Sequence, residues 1–279
     1  MRLADVAEQS LKGGDPVTAL AQLQEQVRAK PADPKLRVFL FQLLCVLGQW
    51  DRALNQLTVA SELDPEALVM REIYGGAVHC EATRTEVFEG KRSPMIFGQP
   101  EHWLARLIES LLVAGRGERD QSQELRSLAF EEAPTSSGDI DGRPFAWIAD
   151  ADSRLGPVLE AVINSRYYWV PFSRLIKIQI EPPEDLRDMV WMPAHLQFEN
   201  GGESVALIPT RYPGSEAAED GLIALARKTE WVEIAPDVHR GLGQRVIATD
   251  TGDVPLMEIR AISITGSSEE TTAPAGDHG

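Results

Sequence analysis

The sequence has few cysteines. Its 279 residues include two, Cys45 and Cys80, and both lie in apolar stretches with helical spacing. Neither belongs to a C-x-x-C motif or to the framework of paired cysteines that stabilises small secreted proteins. A chain of this length has room for about two domains with their own apolar cores, so it needs neither disulfides nor a metal to fold. These features predict a protein of the reducing cytoplasm.

Long uncharged apolar runs are also missing. The longest, residues 38–50, has 13 residues, whereas a helix that spans a membrane needs about 20. At the start of the chain, Asp5 and Glu8 interrupt the sequence before an apolar run of signal-peptide length develops. We therefore expect no membrane span and no export signal, and a protein that is made and kept in the cytoplasm.

Basic residues are scarce relative to acidic ones. The chain has 27 Lys and Arg against 43 Asp and Glu, which gives a formal charge of −16. This excess of negative charge repels phosphate backbones and anionic lipid headgroups. The composition therefore argues against nucleic-acid and membrane partners and favours a protein partner that carries basic residues.

Signature motifs of the common enzyme classes are absent as well. The sequence contains no G-x-S-x-G elbow, no P-loop and no G-x-G-x-x-G fingerprint. Its five histidines are scattered and show none of the spacings typical of zinc ligands. We accordingly predict that the protein is not an enzyme and has no catalytic residue, no metal ligand and no cofactor.

Asp150 and Asp152 form the best enzymatic candidate. They follow a short apolar strand, and two carboxylates at this spacing can share a hard cation such as magnesium. The simpler interpretation is that Asp152 caps the helix predicted after it and that Arg154 pairs with one of the acids. A metal-dependent hydrolase or transferase that uses Asp150 and Asp152 remains the alternative to a binding function.

A repeat of 34 residues marks the first part of the chain. This spacing is that of the tetratricopeptide repeat, a pair of antiparallel helices. In such a unit a glycine ends the first helix, a small residue lets the second helix approach closely, a large apolar residue fills the groove, and a proline stops the pair. The repeated residues are Gly14 and Gly48, Ala19 and Ala53, Leu23 and Leu57, and Pro31 and Pro65.

Helical periodicity continues beyond the repeat. It predicts a long helix over residues 66–89, another that opens at Pro100, and a last one over about residues 120–132. Together with the repeats this makes about seven helices, stacked as antiparallel pairs. We predict a tetratricopeptide-like helical domain at residues 1–133, followed by an exposed linker at residues 134–142, where small and polar residues cluster.

After the linker the period of the apolar residues changes from 3.6 to 2, which indicates strands. The predicted fold is α+β, with the helical domain followed by a β-rich domain, mixed or partly closed into a barrel, at residues 143–265. Residues 266–279 are rich in small and polar residues and are predicted to be a disordered tail. The predicted strands are residues 175–180, 189–198 and 204–209 and a hairpin over 246–264, with helices at 156–165 and 217–228.

Aromatic and basic side chains concentrate in residues 166–174. Exposed tyrosine, tryptophan and arginine are the residue types that anchor protein interfaces, whereas the alternative is that these aromatics fill the interior of a small barrel. We predict a surface that contacts a partner. Its candidate residues are Tyr167, Tyr168, Trp169, Phe172, Trp191, Arg211 and Tyr212.

Five short segments of the second half form a characteristic series. They are FAWIADADSRLGP at 145–157, YYWVPF at 167–172, DLRDMVW at 185–191, RYPGS at 211–215 and TEW at 229–231. In this order they resemble the ImpE or TagJ family of type VI secretion accessory proteins, and the resemblance covers nearly the whole chain.

The resemblance implies a cytoplasmic, non-enzymatic protein that binds the small subunit of the contractile sheath through the N-terminal helix of that subunit. It also implies a link to sheath recycling by the ClpV unfoldase. An amphipathic helix can lie either in a groove between helix pairs or on an apolar sheet face, and the sequence does not choose between them.

Overall fold

The computed structural model describes residues 3–268 of the chain, and the first half of that range is helical. Seven helices precede residue 133 in the described part, in agreement with the predicted number. The α-helices are α1 (Leu3–Lys12), α2 (Pro16–Ala29), α3 (Pro34–Val46), α4 (Trp50–Leu63), α5 (Ala67–Phe88), α6 (His102–Gly115), α7 (Arg119–Glu132) and, later in the chain, α8 (Gly221–Ala224).

The first helix of each repeat ends at a glycine turn. Gly14 and Gly48 follow α1 and α3 with φ angles of 81° and 64°, a left-handed conformation that glycine adopts without strain. The 34-residue repeat is the spacing of these two turns. The aspartate caps do not repeat: Asp15 caps α2 by accepting the backbone N–H of Thr18 at 2.9 Å, and Asp33 caps α3.

The same two turns support the β-rich half of the chain. A Cβ atom on Gly14 would lie 2.8 Å from Leu222 Cδ2, and one on Gly48 would lie 2.5 Å from Glu216 Cγ. Such distances are too short for a side chain, so both glycines are required for this close approach. The segment that contains Glu216 and Leu222 therefore packs directly against the helical repeats.

A nine-stranded sheet dominates the second half. Its order is β1-β6-β5-β9-β8-β7-β14-β2-β3, and every neighbouring pair is antiparallel except β1 and β6. Two smaller sheets are β10-β11 and β13-β12-β4. The strands are β1 (Met95–Ile96), β2 (Thr135–Ile140), β3 (Arg143–Phe145), β4 (Ile148–Asp150), β5 (Val158–Ile163), β6 (Arg166–Pro171), β7 (Leu175–Ile180), β8 (Trp191–Phe198), β9 (Glu203–Pro209), β10 (Thr229–Ala235), β11 (Val238–Gly243), β12 (Val246–Thr249), β13 (Gly252–Pro255) and β14 (Ala261–Ser268).

The large sheet is covered on both faces. On one face, side chains such as Val158 and Trp169 share an apolar cluster with the helices. On the opposite face, Leu159 and Val170 belong to a second cluster that includes Ile247 of β12. Successive residues of β5 and β6 therefore point into different cores, and side chains on either face of these strands are buried.

The predicted fold class is confirmed: a tetratricopeptide-like helical region is followed by a β-rich region with a mixed sheet. The sheets are not closed into a barrel, because the large sheet has two free ends, β1 and β3. Helix α7 ends at Glu132, close to the predicted domain boundary. The division into two domains at that point stays a prediction, since the helices and the sheet share one apolar cluster.

Some predicted elements are wrong. Residues 156–165 form strand β5 rather than a helix, because burial on both faces removes the alternation that marks a strand in sequence. Residues 217–228 contain the four-residue α8 in place of a long helix. The hairpin predicted over residues 246–264 is β12 with β13, and the chain then turns at Leu256–Glu258 so that β14 pairs with β7 and β2.

The predicted linker and tail also differ from the structure. Residues 134–142 contain β2, which pairs with β14 and β3 and is therefore part of the large sheet. Small polar residues suit this position because Gly138 passes close to the backbone of Ser263, where a Cβ would lie 1.9 Å from the carbonyl oxygen. Residues 266–268 are the end of β14, and the rest of the predicted tail lies outside the described residues.

Candidate functional site

The side chains predicted to contact a partner lie mostly in the interior. Tyr168 is half-buried, and its role in contact stays a prediction. The other six are at most 2% exposed, so the prediction of an exposed contact surface is wrong for them. The physical reason is that both faces of the sheet are covered, as in the alternative interpretation that the aromatics fill a core. These six residues are Tyr167, Trp169, Phe172, Trp191, Arg211 and Tyr212.

A buried ionic network links helix α5 to the sheet. At its centre is Glu160 of β5, which has no exposed surface. Arg84 of α5 donates from Nε to Glu160 Oε1 at 2.6 Å and from Nη2 to Oε2 at 3.1 Å. Arg245 binds both Glu160 and Asp150, and Tyr167 donates its hydroxyl to Glu160 Oε1 at 2.6 Å. The charges tolerate burial because each contacts an opposite charge.

Trp191 of β8 holds the sheet to two helices. Its indole N–H donates to Glu81 Oε1 of α5 at 2.8 Å. Its ring lies 6.0 Å from that of Trp50 in α4 and 6.2 Å from that of Tyr74 in α5, measured between centroids. Trp191 therefore acts as an internal anchor between the helical and β-rich parts of the chain.

Arg211 joins the same two parts by capping a helix. It donates to the carbonyl oxygens of Val46 at 2.6 Å and Cys45 at 2.9 Å, at the C-terminal end of α3, and also contacts the Ala224 carbonyl. The last carbonyls of a helix lack partners within the helix, so a buried helix end needs donors of this kind. The guanidinium of Arg211 is thus occupied by backbone groups of this chain.

The two carboxyl groups bound by Arg245 have opposite pKa shifts. Burial raises the pKa of Asp150 to about 6, against the attraction of Arg245. Burial also disfavours the charged form of Glu160, but Arg84 and Arg245 together lower its pKa to about 2. Glu160 therefore stays ionised as the pH falls through the range in which Asp150 takes up a proton.

We expect an Asp150→Asn variant to reveal the titration of Asp150. The pKa of about 6 in the folded protein lies above the ordinary value of 3.8, so Asp150 contributes stability at low pH that is lost as the pH rises from about 4 to 6. Asparagine does not titrate. Urea denaturation of both proteins at several pH values should therefore show the wild type losing stability relative to the variant over this interval. If the stability of the wild type relative to the variant stayed constant or increased as the pH rises, the raised pKa would be contradicted.

Asp152 is occupied in the way that its simpler interpretation predicts. Arg154 donates to it from Nε at 2.9 Å and from Nη2 at 2.6 Å, and the backbone N–H of Gly241 donates to it at 3.0 Å. Asp150 is held by Arg245 and by the hydroxyl of Tyr212 at 3.0 Å. No cluster of three or more His, Cys, Asp or Glu side chains within the described residues is arranged to hold a metal ion.

An open groove lies where the first helices of the repeats meet the sheet. Its volume is about 910 Å³, and it is lined by α1, α3, the start of α5 and residues 183–189 between β7 and β8. Stacked helical repeats present surfaces of this kind to their partners. The floor consists of side chains that are half-buried against the core and still reach the groove. They are Leu36, Phe39, Met70, Leu186 and Met189.

Charged side chains surround this apolar floor. The rim has more acids than bases, which agrees with the negative charge of the whole chain. A partner that places basic residues beside an apolar face therefore complements the groove in both respects. The acids are Glu8, Asp64, Glu66, Glu184 and Asp185, and the bases are Lys12, Lys35 and Arg227.

Sequence reasoning left a groove between helix pairs open as a docking place without naming its residues, and it missed the ionic network. Helix α3 offered one signal, because apolar residues occupy most of its positions and not only the stripe that faces the core. Glu160 offered another, because a charged residue in the middle of the apolar strand Val158–Ile163 needs a buried partner. The identity of that partner was not accessible, since Arg84 and Arg245 are far away in sequence.

Comparisons with known proteins agree with this architecture. The family model described as ImpE protein matches residues 142–263, and a tetratricopeptide repeat model matches residues 10–70. A crystal structure of a Vibrio parahaemolyticus protein superposes with a TM-score of 0.84 at 25% identity, covering 93% of this chain and 97% of the other. The helical and β-rich parts thus occur together in a solved structure.

A relative from Pseudomonas aeruginosa has a higher sequence identity than the Vibrio parahaemolyticus protein. This protein, the type VI secretion system accessory component TagJ, is 48% identical over 260 residues, which cover 93% of this chain and 91% of the relative. The chain therefore belongs to the ImpE/TagJ family.

Proposed function

We propose that the protein is a non-catalytic adaptor of the type VI secretion system that binds the amphipathic N-terminal helix of the small sheath subunit in the groove. The observation that carries the proposal is the apolar floor at the junction of α1, α3 and α5 with residues 183–189. The name of the Pseudomonas aeruginosa relative supports an accessory role in that system. By holding the sheath subunit, the adaptor acts in sheath recycling by ClpV, with which it has at most indirect contact.

The size of the groove suits a short stretch of helix. A helix about 10 Å wide that rises 1.5 Å per residue occupies about 120 Å³ per residue. The groove volume of about 910 Å³ therefore accommodates roughly two turns. Two turns present an apolar face at positions i, i+3, i+4 and i+7, which is the pattern that helix-binding grooves recognise.

The groove floor is suited to gripping such a face. Met70 and Met189 have flexible, polarisable side chains that adjust to the shape of a bound helix. Phe39 adds a rigid aromatic surface to the same floor. The acidic rim favours a helix with lysine or arginine beside its apolar stripe.

The candidate residues for the alternative enzymatic function have partners within the chain. Arginines and backbone groups occupy Asp150 and Asp152. In the described part of the chain no helix is long and apolar enough to cross a membrane. The cysteine content favours the cytoplasm as the compartment of the proposed binding role.

Alanine at Phe39 or Leu186 should weaken binding of a fluorescent peptide that spans the N-terminal helix of the small sheath subunit. Both side chains belong to the groove floor, and a central apolar anchor contributes about 2 kcal/mol or more, or roughly a 30-fold change in affinity. Fluorescence anisotropy measures the dissociation constant, and circular dichroism confirms that each variant is folded.

Val205→Ala is the matched control, because Val205 is an exposed apolar residue on β9 that does not line the groove. We expect it to bind the peptide like the wild type. Unchanged affinity in the Phe39→Ala/Leu186→Ala double variant would remove the groove from the proposal, and an equal loss in the control would show that the effect is not local.

A further inference from the structure

Strand β10 pairs with a neighbour on one side only. In an antiparallel pair, the backbone groups of alternate residues point towards the partner strand and away from it. The N–H of Gln244 donates to the carbonyl of Lys228 at 3.0 Å, and the same register places Glu230 opposite Leu242. Up to the β-bulge between Glu233 and Ala235, the even-numbered residues of β10 are therefore the ones bonded to β11, and the backbone groups of Trp231 and Glu233 point outwards.

On β11 the odd-numbered residues also point away from the β10-β11 pair, and their N–H groups have partners. The N–H of His239 donates to Ser153 Oγ at 3.1 Å, and that of Gly241 donates to Asp152 Oδ2 at 3.0 Å. The outer side of β10 has no such cover. Among the described residues, none forms a hydrogen bond with the backbone N–H or C=O of Trp231 or Glu233, so two donors and two acceptors line an open edge.

Other sheet edges in the described chain are protected. Strands β1, β3, β4 and β13 have two to four residues each, and β3 and β13 also contain Pro144 and Pro255. Short edge strands and prolines prevent the addition of a further strand. Strand β10 has seven residues and no proline, and its first five residues, 229–233, precede the bulge and keep one register for a partner strand.

The side chains of β10 are those of an interface. Trp231 is 41% exposed and is held in place by the ring of Tyr212, 5.6 Å away between centroids, while Ile234 is 39% exposed. Tryptophan fixed in this manner loses little side-chain entropy when a partner covers it.

The charges of β10 select among partners. Both charged side chains of the strand are glutamates, Glu230 and Glu233, and Lys228 at its base already pairs with Glu230. A second copy of this chain would bring the same glutamates together on a molecule with a formal charge of −16, and like charges on neighbouring strands are unfavourable. A strand with basic residues is favoured instead.

We propose that β10 is a docking edge, at which a protein partner adds an extended segment with basic residues as a third strand of the β10-β11 sheet. Main-chain hydrogen bonds to Trp231 and Glu233 provide the affinity, and the two glutamates provide the selectivity. This surface is separate from the groove: none of the β10 residues lines it. The protein thus has one site for a helix and a second site for a strand.

The probe is a capped eight-residue peptide of valine and threonine with two lysines, compared with a peptide in which glutamates replace the lysines. Addition of the lysine peptide to the full chain should slow hydrogen exchange, followed by NMR, at the amides of Trp231 and Glu233 at least fivefold. The glutamate peptide should not. In a Glu230→Lys/Glu233→Lys variant the preference between the two peptides should reverse.

Two further variants separate main-chain pairing from charge. Glu233→Gln and Glu233→Pro remove the same charge, but proline also removes the outward N–H. The Glu233→Pro variant should therefore bind the lysine peptide more weakly than the Glu233→Gln variant. The proposal is overturned if the lysine peptide protects neither amide, if both peptides bind equally to the wild type and the charge-reversed variant, or if the amides become protected by self-association at high protein concentration without peptide.

Discussion

Replacement of Glu160 by glutamine is expected to lower the free energy of unfolding by about 3–5 kcal/mol, because removing one partner of a buried ion pair leaves the other charge without compensation. Glu160 is fully buried and binds two guanidinium groups, those of Arg84 and Arg245. Glutamine keeps the volume of the side chain and removes the charge that both arginines need. Urea denaturation followed by tryptophan fluorescence measures the loss.

The matched control for this prediction is Glu181→Gln. Glu181 lies directly after β7 in the same sheet and is exposed to solvent. An exposed charge of this kind contributes within about 0.5 kcal/mol. Equal stability of the Glu160→Gln and Glu181→Gln variants would show that the buried network does not stabilise the packing of α5 on the sheet.

Trp191→Ala should destabilise the protein by a similar amount, about 3–5 kcal/mol. The substitution removes a fully buried indole, opens a cavity between β8 and the helices, and leaves Glu81 Oε1 without the donor that lies 2.8 Å away. At the same time, the folded fraction of the variant should bind the sheath-subunit peptide with the affinity of the wild type, because Trp191 does not line the groove.

This second prediction separates an internal anchor from a contact residue. His195→Ala, at an exposed position of the same strand, is the control and should change the free energy of unfolding by no more than about 0.5 kcal/mol. Stability is measured by denaturant titration, and affinity is measured at a temperature where the variant remains folded. If the variant had normal stability and a large loss of peptide affinity, Trp191 would be a contact residue, as the sequence predicted.

Local signals of the helical region were readable from the sequence. The glycine that ends α1 and the glycine that ends α3 each need a left-handed conformation, and the aspartates that cap α2 and α3 satisfy N–H groups only a few residues away. These interactions depend on neighbours within one turn, so they leave a mark at fixed spacing in the chain. The 34-residue repeat and the helix ends were therefore predicted correctly.

Strands buried on both faces were harder to interpret. Residues 156–165 were predicted as a helix because β5 shows no alternation between apolar and polar residues. The same cause misplaced the contact surface: aromatic residues of β6 were expected to be partly exposed, whereas helices cover one face and a second apolar cluster covers the other. A pattern in one strand does not reveal which elements pack over it.

The sequence by itself determined the repeat, the succession of a helical and a β-rich region and the family resemblance, because these depend on residues close together in the chain. The tertiary structure alone decided which residues are accessible. It brought Arg84 and Arg245 to Glu160 across separations of 76 and 85 residues. It also brought residues 183–189 beside α3 to line the groove, and left the outer edge of β10 open. Each of these outcomes depends on contacts between distant segments, whose partners no local pattern specifies.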